Sequence, residues 1–417
     1  MKYVFISRMF SGMFESIKEQ QWKPAGIPTF TKLIETLAST KELIWFIVCR
    51  TKEESAVVND EYRQIVFNNI RLIIIPYKYI LNSGKVNASF TTICALYYII
   101  KKIKNFQNTL FYTDRSNIAI AGVIKVMFAA PVVVRILGVY PDQKKLATST
   151  SHKLFSLVTY ISYKINYNLF VCTQDGSGAE FYLDRLLGRN AKKTILLNGI
   201  DWNLKVTPPM KKPEKIILLY VGKIIMDKGI LELIESFSRV AKSERNVILK
   251  IIGKGCLFDK VKRIIADRGL ENSIQLIGSV SLHKVKEYYL SSDVYISLNK
   301  LGNLSNTVLE AMASGKCIIM LGRNKETHAD EETERLVPDD IVIRLDPKNV
   351  VEELSGKIVD LAHNPESIKT YSNKMRVFAK QFLWTWDDRV NYEIELLEKV
   401  ARGEPVYDGA YLKGFKA

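Results

Sequence analysis

Short runs of Val, Ile and Leu recur along the chain with helical patterns between them, and the rhythm is played out twice. In the first half the runs cover residues 3–6, 43–49, 72–76, 109–113, 132–136, 169–173 and 194–197, with a helix expected from about Pro28. The second half repeats it at 216–221, 247–252, 274–277, 294–297, 318–321 and 341–345. A strand that is apolar on both sides must be covered on both sides, which a parallel sheet layered with helices achieves. Between the halves, Thr207-Pro208-Pro209-Met210-Lys211-Lys212-Pro213 carries no apolar periodicity and reads as a linker. Beyond residue 345 the pattern is mainly helical to Lys399, and 403–417 is aperiodic. The expectation is α/β throughout, with one domain over 1–205, a second over 206–382 and a closing segment over 383–417. Open parallel sheets bind ligands beyond the carboxyl ends of their strands, so two facing domains make an interdomain cleft the expected site.

Charge narrows the partners. The chain of 417 residues has a net charge of +16, and residues 1–205 hold 27 Lys and Arg against 14 Asp and Glu. Within 62–170 there are 14 basic side chains and two acids, Asp114 and Asp142. Such a field attracts a polyanionic surface or substrate. Residues 91–104 set Ile93, Leu96, Tyr97, Ile100 and Ile103 near one helical face, with Lys101, Lys102 and Lys104 at the end. Residues 144–167 mix lysines with Phe155, Tyr160, Tyr163 and Tyr167. Both stretches suit an anionic bilayer surface, or else pack their apolar residues on a sheet. Nucleic acid is not an expected partner, because no recognition module or metal finger is present.

The longest uncharged stretch, 86–100, is 15 residues, short of the roughly 20 that a spanning helix needs. The N-terminal apolar run of four residues is too short for a signal-peptide core, so a cytoplasmic location is expected. Five scattered cysteines and four scattered histidines offer neither a disulfide frame nor metal-ligand spacing.

Chemistry concentrates after strand ends in the second half. Gly222-Lys223 is followed by Lys228-Gly229, two lysines in a loop before a helix, fit to clamp a diphosphate. The stretch 302–315 is a polar turn running into a short helix: amides at Leu304, Ser305, Asn306 and Thr307 can receive phosphate oxygens, and Glu310 can accept from vicinal hydroxyls. In the first half, Gly26 gives the Pro28 helix a flexible, amide-rich approach.

Together with Asn198-Gly199-Ile200-Asp201 and Gly253-Lys254-Gly255, these segments resemble the retaining glycosyltransferases of family 4, which have the two-domain GT-B fold. The resemblance is strongest over 195–320. It implies two Rossmann-like domains facing across a cleft, with a C-terminal helix returning to the first. It implies a nucleotide-diphosphate sugar as donor substrate, no metal, and a glycan or lipid-linked acceptor. By position, Gly26 matches the loop near the donor phosphates, Lys223 stands where the family has Arg, and Lys228 matches its Lys. Gly222 and Gly253 fall in the matching turns, and Glu310 matches the second of two glutamates, the one that binds ribose. The segment 382–389 resembles the aromatic opening of the last helix, with Trp384 and Trp386 expected to pack.

Two departures qualify the resemblance. Gly302 replaces the first glutamate, which contacts the transferred sugar; this implies an unusual sugar, a weak enzyme or a binder without catalysis. Leu137 stands where many members have His, so Asp114, Arg115 or Arg135 is expected on the acceptor side. The reading that results is a retaining, metal-independent transferase in surface polysaccharide assembly, peripheral at the inner face of the membrane. A silent GT-B subunit partnering an active transferase and a nucleotide-sugar epimerase are the alternatives.

Overall fold

A computed structural model describes residues 1–10, 12–24, 28–56, 63–201, 215–406 and 409–411. Gly26 and the 207–213 linker lie outside the described residues.

The first half contributes β1 (Lys2–Arg8), β2 (Leu43–Val48), β3 (Arg63–Phe67), β4 (Ile70–Ile75), β5 (Thr109–Asp114), β6 (Val132–Ile136), β7 (Leu169–Gln174), β8 (Lys193–Leu197) and the short β9 (Gly199–Ile200). The second contributes β10 (Ile216–Val221), β11 (Val247–Ile252), β12 (Ile274–Gly278), β13 (Val294–Ser297), β14 (Cys317–Leu321), β15 (Ile343–Leu345), β16 (Trp384–Thr385) and β17 (Gly409–Tyr411). One nine-stranded sheet runs β17-β8-β7-β6-β5-β1-β2-β4-β3, and a six-stranded sheet runs β12-β11-β10-β13-β14-β15. Among the described residues, all strand pairings within these two sheets are parallel except β3 with β4. Strands such as β5, β6 and β7 are buried at every position, as double-sided helical cover requires.

Three features differ from expectation. β3 is an antiparallel edge strand whose residues alternate between half-buried and exposed, so it lacks the continuous apolar run of the central strands. β17 lies in the aperiodic tail and extends the first sheet through β8. In the helix Gly84–Lys102 the inward residues are Asn87, Thr91, Ala95 and Ile99, while Ile93 and Tyr97 are 62% and 63% exposed. The apolar stripe read from residues 91–104 therefore faces largely outward. Among the cysteines, Cys49, Cys172 and Cys317 are buried, whereas Cys256 is exposed.

The helix Trp386–Arg402 returns to the first sheet. Thr385 caps it reciprocally with Asp388, and Gly403 closes it at φ 72°. Trp384 and Trp386 are buried at its start. Val390, Leu396, Leu397 and Val400 join a core with Phe30, Leu33, Trp45 and Tyr112. Glu393 sits inside this contact: Arg389 Nη1 donates to it at 2.6 Å, Arg135 Nη1 lies 3.9 Å away, and the Tyr112 hydroxyl donates to it. Burial pushes the Glu393 carboxyl up, but Arg389 and Arg135 outweigh burial and hold it below the usual range. Arg135, expected on the acceptor side, is thereby corrected: it is fully buried, donates to Thr173 Oγ1 at 2.8 Å and anchors the returning helix.

Glu393→Gln leaves two buried guanidiniums without a counter-charge and should cost about 3–5 kcal/mol in urea unfolding. Because the folded Glu393 carboxyl is depressed, its contribution is present above the ordinary carboxylate pKa and lost as pH falls through the lower folded value. Wild-type stability should fall more steeply with acid than that of the variant.

Candidate functional site

The carboxyl ends of the two sheets meet. β7 is followed by the loop Asp175-Gly176-Ser177-Gly178, which bonds directly to the second domain: Leu304 N–H donates to the Asp175 carbonyl at 3.1 Å, and Asp330 N–H to the Gly176 carbonyl at 2.7 Å. Asp330 accepts from Asn303 N–H, Asn303 Nδ2 and Thr333 Oγ1, each at 2.7 Å. Burial nevertheless pushes its carboxyl up to about 7. Gly302 sits at φ +138°, and a Cβ there would lie 2.4 Å from the Gly176 carbonyl carbon and 2.5 Å from the Asp175 oxygen. That contact is the physical reason for a glycine at 302, since any side chain would collide with the first domain's backbone.

Around this contact the second sheet builds a floor. Gly253, at φ +140°, would place a Cβ 1.8 Å from the Gly222 carbonyl oxygen, so the glycine at 253 permits a backbone crossing beyond β10 and β11. Their amides are bonded to the Gly278 and Ile252 carbonyls, so they shape the turn rather than donate to a ligand. Lys223 is exposed and Lys228 half-buried on the turn Met226–Lys228. Burial pulls the Lys228 ammonium down; Asp175 opposes that shift and Lys223 adds to it, so the three share one field. Asp175, pushed up by burial, rests against Gly138, where a Cβ would meet its Oδ2 at 2.1 Å.

The helix Asn306–Ala313 starts at Ser305, whose hydroxyl pairs with Thr307 Oγ1 at 3.1 Å, and Asn198 Nδ2 donates to Asn306 Oδ1 at 2.6 Å. Leu304 is corrected: its side chain is fully buried and its amide is bound to Asp175, leaving neither for a ligand. Glu310 is half-buried; burial pushes its carboxyl up to about 7, Tyr289 and Lys286 oppose the rise and Asp201 adds to it. The Tyr289 hydroxyl donates to the Thr307 carbonyl at 2.8 Å, tying the helix start in place.

On the first domain, Asp114 is 2% exposed and holds Asn117 Nδ2 at 2.7 Å, which turns it inward and corrects its expected acceptor-side role. Arg115 is half-buried, donates to the Gly138 carbonyl at 2.7 Å and lies 4.4 Å from the Tyr140 ring centroid. Asp175, Asp330 and Tyr140 escaped sequence reasoning. Asp175 had a usable signal, a strand end running into Asp-Gly-Ser-Gly, the same kind of cue that singled out Gly222.

The family profile described as Glycosyl transferases group 1 matches residues 206–376. Over that stretch, less than half of the chain, the second domain is similar to the group 1 glycosyl transferases. An uncharacterized glycosyltransferase of Methanocaldococcus jannaschii is 30% identical over 177 residues, 42% of this chain and 43% of the relative. The alpha-monoglucosyldiacylglycerol synthase of Acholeplasma laidlawii is 25% identical over 169 residues, 40% of each chain. The matched stretch thus spans less than half the length of either relative. Among solved structures, Anabaena HepE in complex with UDP superposes with a TM-score of 0.66 at 15% identity, covering 96% of this chain and 100% of that one. At that identity the likeness concerns architecture, and the two facing parallel-sheet domains are the GT-B fold.

Gly302→Ala should strain this junction and lower stability by about 1–3 kcal/mol in thermal unfolding, whereas Gly356→Ala, in a helix with open space at the Cβ, should not destabilise.

Proposed function

We propose that this chain is a glycosyltransferase moving a sugar from a nucleotide-diphosphate donor to a hydroxyl of a glycan or lipid-linked acceptor, with retention, at the inner face of a membrane in surface polysaccharide assembly. The observation that carries the reading is that Lys223 and Lys228 share one field with Asp175, whose carbonyl accepts from Leu304 just before the Asn306–Ala313 helix. The UDP complex of HepE and the diacylglycerol product in the Acholeplasma synthase's name support a nucleotide donor and a lipid-linked acceptor.

In this reading Lys223 and Lys228 clamp the diphosphate, Ser305, Asn306 and Thr307 lie at its far end, and Glu310 accepts from the ribose. The anomeric C–O bond to the diphosphate breaks as a bond forms to the acceptor oxygen, and the acceptor's proton passes to a leaving phosphate oxygen. The two ammoniums stabilise the charge that develops on the leaving group; losing one such donor costs roughly 10²–10³ in rate. No metal is required for that stabilisation. Lys223 in place of Arg keeps the charge and gives up the planar fork.

The Gly302 contact favours one further reading, a subunit that binds nucleotide without turnover. In that case donor binding persists while no labelled sugar reaches any acceptor fraction from a membrane extract. Transfer of the label establishes the enzyme.

Glu310 supplies a pH test. Its carboxyl is raised to about 7, so about one-tenth is ionised at pH 6 and about nine-tenths at pH 8. Affinity for UDP-glucose, whose diphosphate does not titrate in that window, should rise several-fold from pH 6 to 8 and become flat in Glu310→Gln. Membrane attachment is tested by sedimentation with anionic liposomes, which should weaken as salt rises from 50 to 500 mM, since screening shortens the reach of exposed lysines.

A further inference from the structure

A cavity of about 1120 Å³ opens on the first domain between the helices Gly84–Lys102, Ile118–Phe128 and Leu157–Lys164. Its walls are largely apolar and include Ile93, Val126, Met127, Val158 and Ile161. These residues are not core: Val126, Met127 and Val158 are 67–69% exposed, and Phe155 nearby is 68% exposed. Isolated exposed apolar residues are ordinary, but several converging on one groove are a recognition surface. Near it, Lys85 Nζ lies 3.2 Å from the Phe155 ring centroid, while Lys164 Nζ is bonded to the Arg185 and Leu187 carbonyls.

The opposite end of the cavity is cationic. Arg8, Arg50 and Arg115 line it. Arg50 is held in place by Nη2 bonds to the Ser116 carbonyl at 2.7 Å and Asn117 Oδ1 at 2.6 Å. Asp142 is the acid in the lining, and Asp114 and Glu54 also lie in the field of Arg50, so three guanidiniums stand against three carboxyls of which Asp114 is pushed up by burial. This end leads to the cleft: the Tyr140 phenol lies in the fields of Asp175, Arg115 and Arg8, and Asp175 lies in the field of Lys228.

We infer that this groove seats the acceptor, an anionic lipid whose hydrocarbon chain lies among Ile93, Val126 and Ile161 and whose phosphate meets Arg8, Arg50 and Arg115. The inference deepens the transferase reading and rests on it for the word acceptor; the lipid seat itself is independent of turnover. Charge complementarity commits the occupant. An apolar trough ending in three arginines fits a chain with a phosphate head, and the basic excess of residues 62–170 suits the anionic bilayer from which that lipid comes. The hydroxyl that receives the sugar then lies on the cleft side of the phosphate.

The test is calorimetric titration with hexyl, octyl and decyl phosphate below their micelle concentrations, beside inorganic phosphate and decanol. Affinity should climb with chain length, up to about fourfold per CH₂, and inorganic phosphate and decanol should each bind at least tenfold more weakly than decyl phosphate. Arg115→Ala should weaken decyl phosphate about tenfold and leave decanol unaffected. Ile93→Asp and Val126→Asp, at exposed positions and with unchanged melting temperature, should remove the chain-length dependence. Val377→Asp, an exposed apolar position on the second domain, should behave as wild type. Decyl phosphate binding no tighter than inorganic phosphate, or unchanged by Ile93→Asp and Val126→Asp, overturns the inference. Loss of vesicle binding without loss of decyl phosphate binding in those variants also overturns it, since the face is then only a bilayer dock. UDP titration of the wild type is run in parallel: failure there removes the transferase reading while lipid binding still stands or falls by its own result.

Discussion

The arrangement of the molecule depends on one backbone contact between the domains. The Asp175 and Gly176 carbonyls accept from Leu304 and Asp330, and Gly302 has no Cβ, so the first domain's loop can lie against the second domain's. Asp330, buried behind the contact, holds Asn303 and Thr333 and so sets the start of the Asn306–Ala313 helix. The cleft is therefore positioned by main-chain geometry, and Asp175 is brought into the field of Lys228 as a consequence of it. The same packing accounts for the missing glutamate at 302. A side chain there is sterically excluded by the Asp175 and Gly176 backbone, and the Asp330 carboxylate already takes the amide of the next residue, Asn303.

A second junction works by charge. The returning helix Trp386–Arg402 buries Glu393 and Arg389 against Arg135 and Tyr112 under the first sheet. Two guanidiniums against one carboxylate make an anchor that is costly to break and specific in register, because each partner is fully desolvated. One junction joins the two sheets at their carboxyl ends, and the other ties the chain's last long helix to the first sheet.

Much of this was legible in the residues. The Val/Ile/Leu runs placed every central strand of both sheets, because a doubly covered strand has no solvent face to hide its pattern. The second-half loops follow their strands in local order, so the turns holding Gly222 and Lys228 and the helix holding Glu310 could be placed one by one. The failures share a physical cause. Arg135 reads as a functional arginine until Glu393, more than 250 positions away, is known to meet it. Leu304 sits in a phosphate-type turn, yet its amide is taken by a carbonyl from the other domain. The outward turn of Ile93 and Tyr97 was hidden because periodicity gives a face but not what covers it; Asn87 and Thr91 win the inside through local hydrogen bonds to the 78–81 backbone. Edge strand β3 and tail strand β17 are set by neighbours rather than by their own composition.

The proposed donor site lies on the second domain and works through Lys228. The most direct measurement is calorimetric titration of the purified protein with UDP, GDP, ADP and dTDP, repeated on Lys228→Ala. Selective binding of one nucleotide, lost or weakened at least tenfold in the variant, is the predicted result. Equal affinity of wild type and variant for every nucleotide, or no binding to any of them, would contradict it.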